Sequence, residues 1–164
     1  MAMAMTIGRP DLRRMAFRLK VEDDWPPVSV ETLWVESAGK SKFRIDNTPF
    51  LVKGIAVDDI VEGRQEEAGE EGMLHFSRKL ATGGHSTIQA IVIVDEVESD
   101  FRDEMREIGC RIEVSPWRSL YGIDIPDRRL IEAVHRSLDA RASLGQLEYE
   151  DACLAVAGGD GPSL

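Results

Sequence analysis

The hydrophobic and polar positions of this chain change their rhythm near Gly83 and Gly84. Before these glycines, short runs that alternate apolar and polar residues are separated by turn-forming residues, which is the pattern of half-buried strands. The runs cover residues 17–21, 28–35, 42–45, 50–53, 73–80 and a segment that starts at Ile60. Six short strands joined by turns favour a small β-barrel or a strongly curled antiparallel sheet.

After the two glycines, longer elements follow in the order β-α-β-β-α-β. The strands cover residues 86–94, 111–114, 120–125 and 147–154, and the helices lie between Ser99 and Gly109 and between Asp127 and Gly145. Phe101, Met105 and Ile108 fall on one face of the first helix, which predicts that this face is buried. Because this order is that of a ferredoxin-like sandwich, the predicted fold class is α+β, a β-rich module followed by a ferredoxin-like α/β module.

The same pattern predicts where the domains begin and end. We expect the β-rich module over residues 15–84 and the α/β module over residues 85–154. Residues 1–14 include the Gly8-Arg9-Pro10 sequence, and residues 155–164 are mostly small and rich in glycine, so we expect both segments to be mobile tails.

The distribution of charge along the chain limits the classes of molecule that we expect the protein to bind. The 164 residues have a formal net charge of −10. Residues 58–72 contain seven acids and one base, and residues 95–107 contain seven acids and two bases. These acidic blocks argue against nucleic acid and anionic membranes as binding partners, and they permit a basic protein as a partner. Charged runs are also typical of solvated surfaces that bind nothing.

The predicted partner-binding residues come from the first acidic block and from one connection in the second module. The acids expected to steer a cationic partner are Asp58, Asp59, Glu66, Glu67, Glu70 and Glu71. Trp117 and Arg118 are residue types that often anchor interfaces. Core packing is an equally good explanation for Trp117.

The compartment is predicted from absent signals. The apolar runs are too short to cross a bilayer, and no charged-then-apolar leader opens the chain. We therefore expect a cytoplasmic protein, in which Cys110 and Cys153 are reduced and buried.

Candidate chemistry is sparse. His85 follows two glycines and could act as an acid or base. Asp46 and Asn47 could hold a polar ligand, although a turn bonded to its own backbone explains the same residues. His75 and His85 could approach each other, and with Asp46 or Glu113 they could bind a transition metal, but their spacing matches no ligand signature. We therefore predict no catalytic set, no cofactor and no metal.

Several segments together resemble a known family. They are residues 25–34 (WPPVSVETLW), 43–50 (FRIDNTPF), 54–61, 84–87 (GHST), 108–112 (IGCRI) and 147–154 (LEYEDACL). This combination resembles a family of small bacterial proteins that is catalogued only as a domain of unknown function. The resemblance implies a bacterial cytoplasmic protein and carries no activity with it. Members of the family usually have Gly where this chain has Asp58.

The leading functional hypothesis is a non-enzymatic acidic binding protein. In its concrete form it would be an immunity or antitoxin-like inhibitor that occludes a basic bacterial toxin. One alternative is a small-ligand sensor or an accessory protein of a biosynthetic cluster. Another is an enzyme that uses His85 together with Asp46.

Overall fold

The first half of the molecule is a closed β-barrel. The structure, a computed structural model, describes residues 12–156. The barrel strands are β1 (Leu12–Arg18), β2 (Val30–Gly39), β3 (Lys42–Ile45), β4 (Ile60–Gln65) and β5 (Met73–Ala81). Successive strands are antiparallel, and a parallel pairing of β1 with β5 closes the barrel. Alternate side chains, among them Met15, Leu33 and Val35, are buried inside it.

The second half is a four-stranded sheet with two helices. Its elements are β6 (Ser86–Val92), α1 (Glu98–Ile108), β7 (Arg111–Val114), β8 (Leu120–Ile125), α2 (Ile131–Ser143) and β9 (Leu147–Cys153). The strand order is β7-β8-β6-β9, and each neighbouring pair is antiparallel. The fold is therefore α+β and contains a small β-barrel, as the sequence predicts.

The two faces of this sheet have different partners. On one face Ile88 and Ile123 join Phe101 and Met105 of α1 and Leu138 of α2 in a buried apolar cluster. The opposite face packs against the long barrel loop between β3 and β4. Every residue of β8 is therefore buried, although only alternate side chains reach the helices.

The barrel contains five strands, so the predicted strand over residues 50–53 is wrong. The backbone N–H groups of Phe50, Leu51 and Val52 donate to the carboxylate of Glu31. They are therefore not available to a strand ladder.

The first strand also differs from its prediction. It begins at Leu12 and ends at Arg18, because it pairs with β2 from Leu12 opposite Glu36 to Arg18 opposite Val30. Residues 12–14 of the predicted N-terminal tail thus belong to the barrel. Residues 1–11 and 157–164 lie outside the described residues, and the proposed division at residue 84 stays a prediction.

Candidate functional site

The loop of residues 46–59 connects β3 to β4 and is held from the barrel side by a buried carboxylate. Glu31 is only 4% exposed. Its Oε2 accepts the N–H of Phe50 at 2.7 Å, and its Oε1 accepts those of Leu51 and Val52 at 2.9 Å each. Three donors on one carboxylate offset the loss of its hydration, so Glu31 fixes the path of this loop.

A second buried carboxylate, that of Asp59, closes the same loop. Asp59 Oδ2 accepts the N–H of Ala56 at 2.8 Å, and Oδ1 accepts the N–H of Gly83 at 2.9 Å. Lys79 of β5 places its Nζ 3.0 Å from Asp59 Oδ2 and also donates to the carbonyl oxygen of Gly54. The barrel, its long loop and the chain entering β6 therefore meet at one ion pair.

The sheet contributes side chains to this junction. Thr87 Oγ1 donates to the carbonyl oxygen of Ile55 at 3.0 Å, and Gln89 Nε2 donates to that of Val52 at 3.0 Å. A Cβ on Gly122 would come within 3.0 Å of the loop, so glycine allows this close approach. The face of the sheet that the helices leave open is thus closed by polar contacts with the barrel.

His85 lies at the edge of this junction, between two carboxylates. Its Nδ1 is 2.7 Å from Oδ1 of Asp124, which is 1% exposed, and its Nε2 is 3.3 Å from Oδ2 of the half-exposed Asp58. Burial raises the pKa of Asp124, and the hydrogen bond with His85 opposes that rise. Burial and the charge of Asp124 also raise the pKa of the neighbouring Glu113.

The chemistry open to His85 follows from this geometry. A buried carboxylate that orients an imidazole is the arrangement of a general base. Here the second ring nitrogen faces Asp58, so both nitrogens contact carboxylates of the protein itself. In this conformation His85 links the long barrel loop to the sheet.

A groove opens on the other side of the loop, and we call it the Trp25 groove. It has a volume of about 850 Å³ and lies between the end of β1, residues 51–55 and β5. A smaller hollow of about 400 Å³ adjoins it and shares Trp25, Leu51, Lys53 and Glu150 with it. The indole of Trp25 is 47% exposed and forms part of both walls.

Trp25 is presented by a tight turn. The N–H of Glu22 donates to the carbonyl oxygen of Trp25, and the N–H of Trp25 donates back to that of Glu22. Asp23 and Asp24 between them have φ values of 52° and 64°, a left-handed conformation that costs free energy outside glycine. The chain therefore tolerates local strain where it holds this tryptophan at the surface.

Four of the predicted partner-binding acids lie together in the loop between β4 and β5, and we call this segment the acidic loop. They are Glu66, Glu67, Glu70 and Glu71. Arg14 pairs with Glu70 at 2.9 Å, and the ring of His75 lies 3.8 Å from Glu66. Glu67 and Glu71 are exposed and have no ion pair within residues 12–156.

The structure does not support the same role for Asp59. Its side chain is 1% exposed and paired with Lys79, so its charge is neutralised inside the protein. Asp58 remains half-exposed but pairs with His85. Position in an acidic run does not distinguish a buried acid from an exposed one, so the sequence alone predicts the same role for Asp59 as for its neighbours.

The predicted ligand-site residues have separate partners. Asn47 Oδ1 accepts the N–H of Trp34 at 2.7 Å, and the N–H of Asp46 donates to the carbonyl oxygen of Trp34 at 2.9 Å. His75 faces the acidic loop, whereas His85 faces Asp124, so the two imidazoles have no common partner. Within residues 12–156, no three His, Cys, Asp or Glu side chains are grouped so that they could hold a metal ion.

Trp117 and Arg118 lie in the turn between β7 and β8. Trp117 is half-buried, and its backbone N–H and carbonyl both bond to Ser115 Oγ. Arg118 extends into solvent with its guanidinium 3.6 Å from Asp95. They belong to the sheet module, whereas the acidic loop belongs to the barrel.

Sequence reasoning missed Glu31, Lys79 and Asp124, whose hydrogen bonds and ion pairs hold the junction together. A signal was present for two of them. Glu31 shares the alternation of Leu33 and Val35 and therefore the buried face of β2, and Asp124 interrupts an apolar strand. A charged residue at a buried strand position needs a partner, so such positions point to buried polar networks.

Comparisons with known proteins give a family and a fold. The model of a family described as a domain of unknown function (DUF4265) matches residues 31–149, which confirms the resemblance seen in the sequence. No curated protein matches the chain. A solved structure titled as a hypothetical protein from Neisseria gonorrhoeae superposes with a TM-score of 0.70 at 19% identity, covering 90% of this chain and 96% of that chain. At this identity the likeness shows the fold alone. No helix among the described residues is long and apolar enough to span a membrane.

Proposed function

We propose that this chain, which belongs to the DUF4265 family, a domain of unknown function, is a non-enzymatic binding protein whose acidic loop engages a cationic protein. The observation that carries this proposal is the exposure of Glu67 and Glu71 without an ion pair in residues 12–156. Unpaired surface carboxylates in a chain of net charge −10 attract cationic proteins and accelerate their association.

The concrete form of the proposal is an inhibitor of a basic bacterial protein, of the immunity or antitoxin type, that works in the cytoplasm. Such an inhibitor needs a rigid surface and no reactive groups. The polar junction around Glu31 and Asp59 fixes the long loop of the barrel from both sides at the start of β4, and the acidic loop follows the other end of that strand. Trp117 and Arg118 would form a separate contact on the sheet module.

A specific fold for the second half of the molecule is also part of what we propose. We take the second half to be a ferredoxin-like sandwich. The element order β-α-β-β-α-β, the strand order β7-β8-β6-β9 and the packing of both helices against one face support this assignment.

The test compares two variants with the same change of charge. In the loop variant, the four acids of the acidic loop become glutamines. In the helix variant, four exposed acids beside or on α1 become the corresponding amides: Glu96, Asp100, Asp103 and Glu107. Each immobilised protein is used to recover partners from the source cells at low and at high salt, and a recovered protein is purified for association kinetics.

We expect the wild type and the helix variant to recover the same basic protein at low salt. The loop variant should recover much less of it, because its association rate falls when the attracting charge is removed. Equal recovery by both variants would assign the effect to overall charge, and no specific recovery at either salt concentration would refute the proposal.

A further inference from the structure

The Trp25 groove has the dimensions of a small-molecule site. Its volume of about 850 Å³ lies within the range of known ligand pockets, about 300–1,000 Å³. Aromatic surface is available on its walls from Trp25, which is half-exposed, and from the partly buried Phe76, whose ring stacks on the buried Phe17 with centroids 4.6 Å apart. An exposed indole beside a concave apolar wall is a surface that gains free energy when a flat ring covers it.

Cationic side chains outnumber anionic ones on the lining of the groove, although the protein as a whole is acidic. Five cationic and three anionic side chains line it, in a chain of net charge −10. Four of the five cations already have carboxylate partners: Lys20 with Glu22, Lys53 with Glu150, Arg78 with Glu62 and Lys79 with Asp59. Arg18 alone among these cations has no ion pair within residues 12–156, and it is exposed.

We propose that the Trp25 groove binds a small planar aromatic carboxylate, with the ring against Trp25 and the carboxylate on Arg18. A guanidinium can bind one carboxylate through two parallel hydrogen bonds. A single unpaired arginine is therefore enough to hold the carboxylate of such a ligand. Glu22 and Glu150 on the same lining already pair with Lys20 and Lys53, so Asp23 is the lining acid without an ion pair within residues 12–156, and it repels molecules with several negative charges. The groove therefore selects a monoanion over a nucleotide or a nucleic acid. This inference does not depend on the function proposed for the acidic loop.

The experiment uses 2-naphthoate as the probe and neutral 2-naphthamide as its matched control. Binding is followed by the indole N–H signals in ¹⁵N–¹H spectra, with the signal of Trp25 assigned from the Trp25→Leu variant. Trp34 is an internal control, because it is 43% exposed and does not line the groove. Arg18→Gln is compared with Arg64→Gln, an exposed arginine of β4 outside the groove.

We expect 2-naphthoate to shift the signal of Trp25 and leave that of Trp34 in place. Arg18→Gln and the change to 2-naphthamide should each weaken binding about tenfold or more, because each removes the charged hydrogen bonds. Arg64→Gln should bind like the wild type. The proposal fails if millimolar 2-naphthoate does not shift Trp25, if it shifts Trp34 equally, or if the acid and the amide bind equally well.

Discussion

Asp59 and Lys79 form an ion pair that is almost completely removed from solvent, with side chains 1% and 4% exposed and 3.0 Å between Oδ2 and Nζ. Asp59 lies at the end of the long barrel loop, and Lys79 lies on β5 opposite Val61. Asp59 also accepts the N–H groups of Ala56 and Gly83, and Lys79 also donates to the carbonyl oxygen of Gly54 and to Sγ of Cys153. A buried pair of this kind fixes one arrangement of the elements around it, because each charge is costly to leave alone.

Replacing Lys79 with Met should therefore destabilise the protein strongly. The change leaves the carboxylate of Asp59 buried and uncompensated, which costs about 3–5 kcal/mol of the free energy of unfolding. Urea denaturation followed by circular dichroism measures this loss. The double variant Asp59→Asn/Lys79→Met should recover part of it, since the uncompensated charge is then absent.

Lys20→Met provides the control for this prediction. Lys20 and Glu22 also pair at 2.9 Å, but their side chains are 85% and 67% exposed. An exposed pair contributes only about 0–1 kcal/mol, so this variant should unfold close to the wild type. If the Lys79 and Lys20 variants lost the same stability, the buried pair would not fix the junction.

Local periodicity explains what could be predicted of the fold. Alternation in β2 and β3 and the apolar stripe of α1 are local patterns, and these elements lie close to their predicted positions. The pairing of β1 with β5 joins residues such as Met15 and Leu74, which are far apart in the chain. No local pattern encodes that pairing, so the sequence alone left a barrel and a curled sheet as alternatives.

The site was harder to predict, because it depends on which charged residues meet. Asp58 and Asp59 are neighbours in one acidic run, yet one is half-exposed and the other is buried. Only the register of β4 and β5 brings Lys79 to Asp59. Likewise, the sequence offers Asp46 as a partner for His85, whereas the antiparallel pairing of β6 with β8 brings Asp124 to it.

Glu31→Gln should loosen the long loop of the barrel. A glutamine side chain has one acceptor oxygen, and its NH₂ group would face a backbone donor, so the three hydrogen bonds of Glu31 cannot all be kept. We expect a loss of about 2–3 kcal/mol in the free energy of unfolding and faster hydrogen exchange at Phe50, Leu51 and Val52. Glu148→Gln, an exposed acid of β9, should change neither quantity. Unchanged exchange at all three amides in the Glu31 variant would contradict the assignment.

The interacting acids Glu113 and Asp124 predict a pH dependence. Burial raises the pKa of both Glu113 and Asp124 in the folded protein. In the window between their ordinary values and the raised ones, the folded state binds more protons than the unfolded state, so the free energy of unfolding falls as pH rises.

Glu113→Gln separates the part of this pH dependence that comes from Glu113. A glutamine resembles the protonated acid, so the variant should match the wild type at low pH and gain stability relative to it as pH rises through that window. Urea denaturation at a series of pH values from about 4 to 8 measures the difference. A difference that stays constant with pH would show that the burial of Glu113 does not penalise its charged form.

The close approach of Gly83 to the long loop gives the last prediction. A Cβ at Gly83 would lie 2.3 Å from the carbonyl oxygen of Asp58, which is backbone and cannot turn away. We expect Gly83→Ala to cost about 3 kcal/mol in the free energy of unfolding and to shift the NMR signals of Asp58 and His85.

Gly72→Ala is the matched control, because Gly72 has a φ of 80° but no atom within 4 Å of its missing Cβ. That variant should lose only the left-handed backbone penalty, about 1 kcal/mol, without shifts at Asp58 or His85. Equal losses in urea denaturation, with no shift at Asp58, would show that the two segments are not packed as closely as the structure places them.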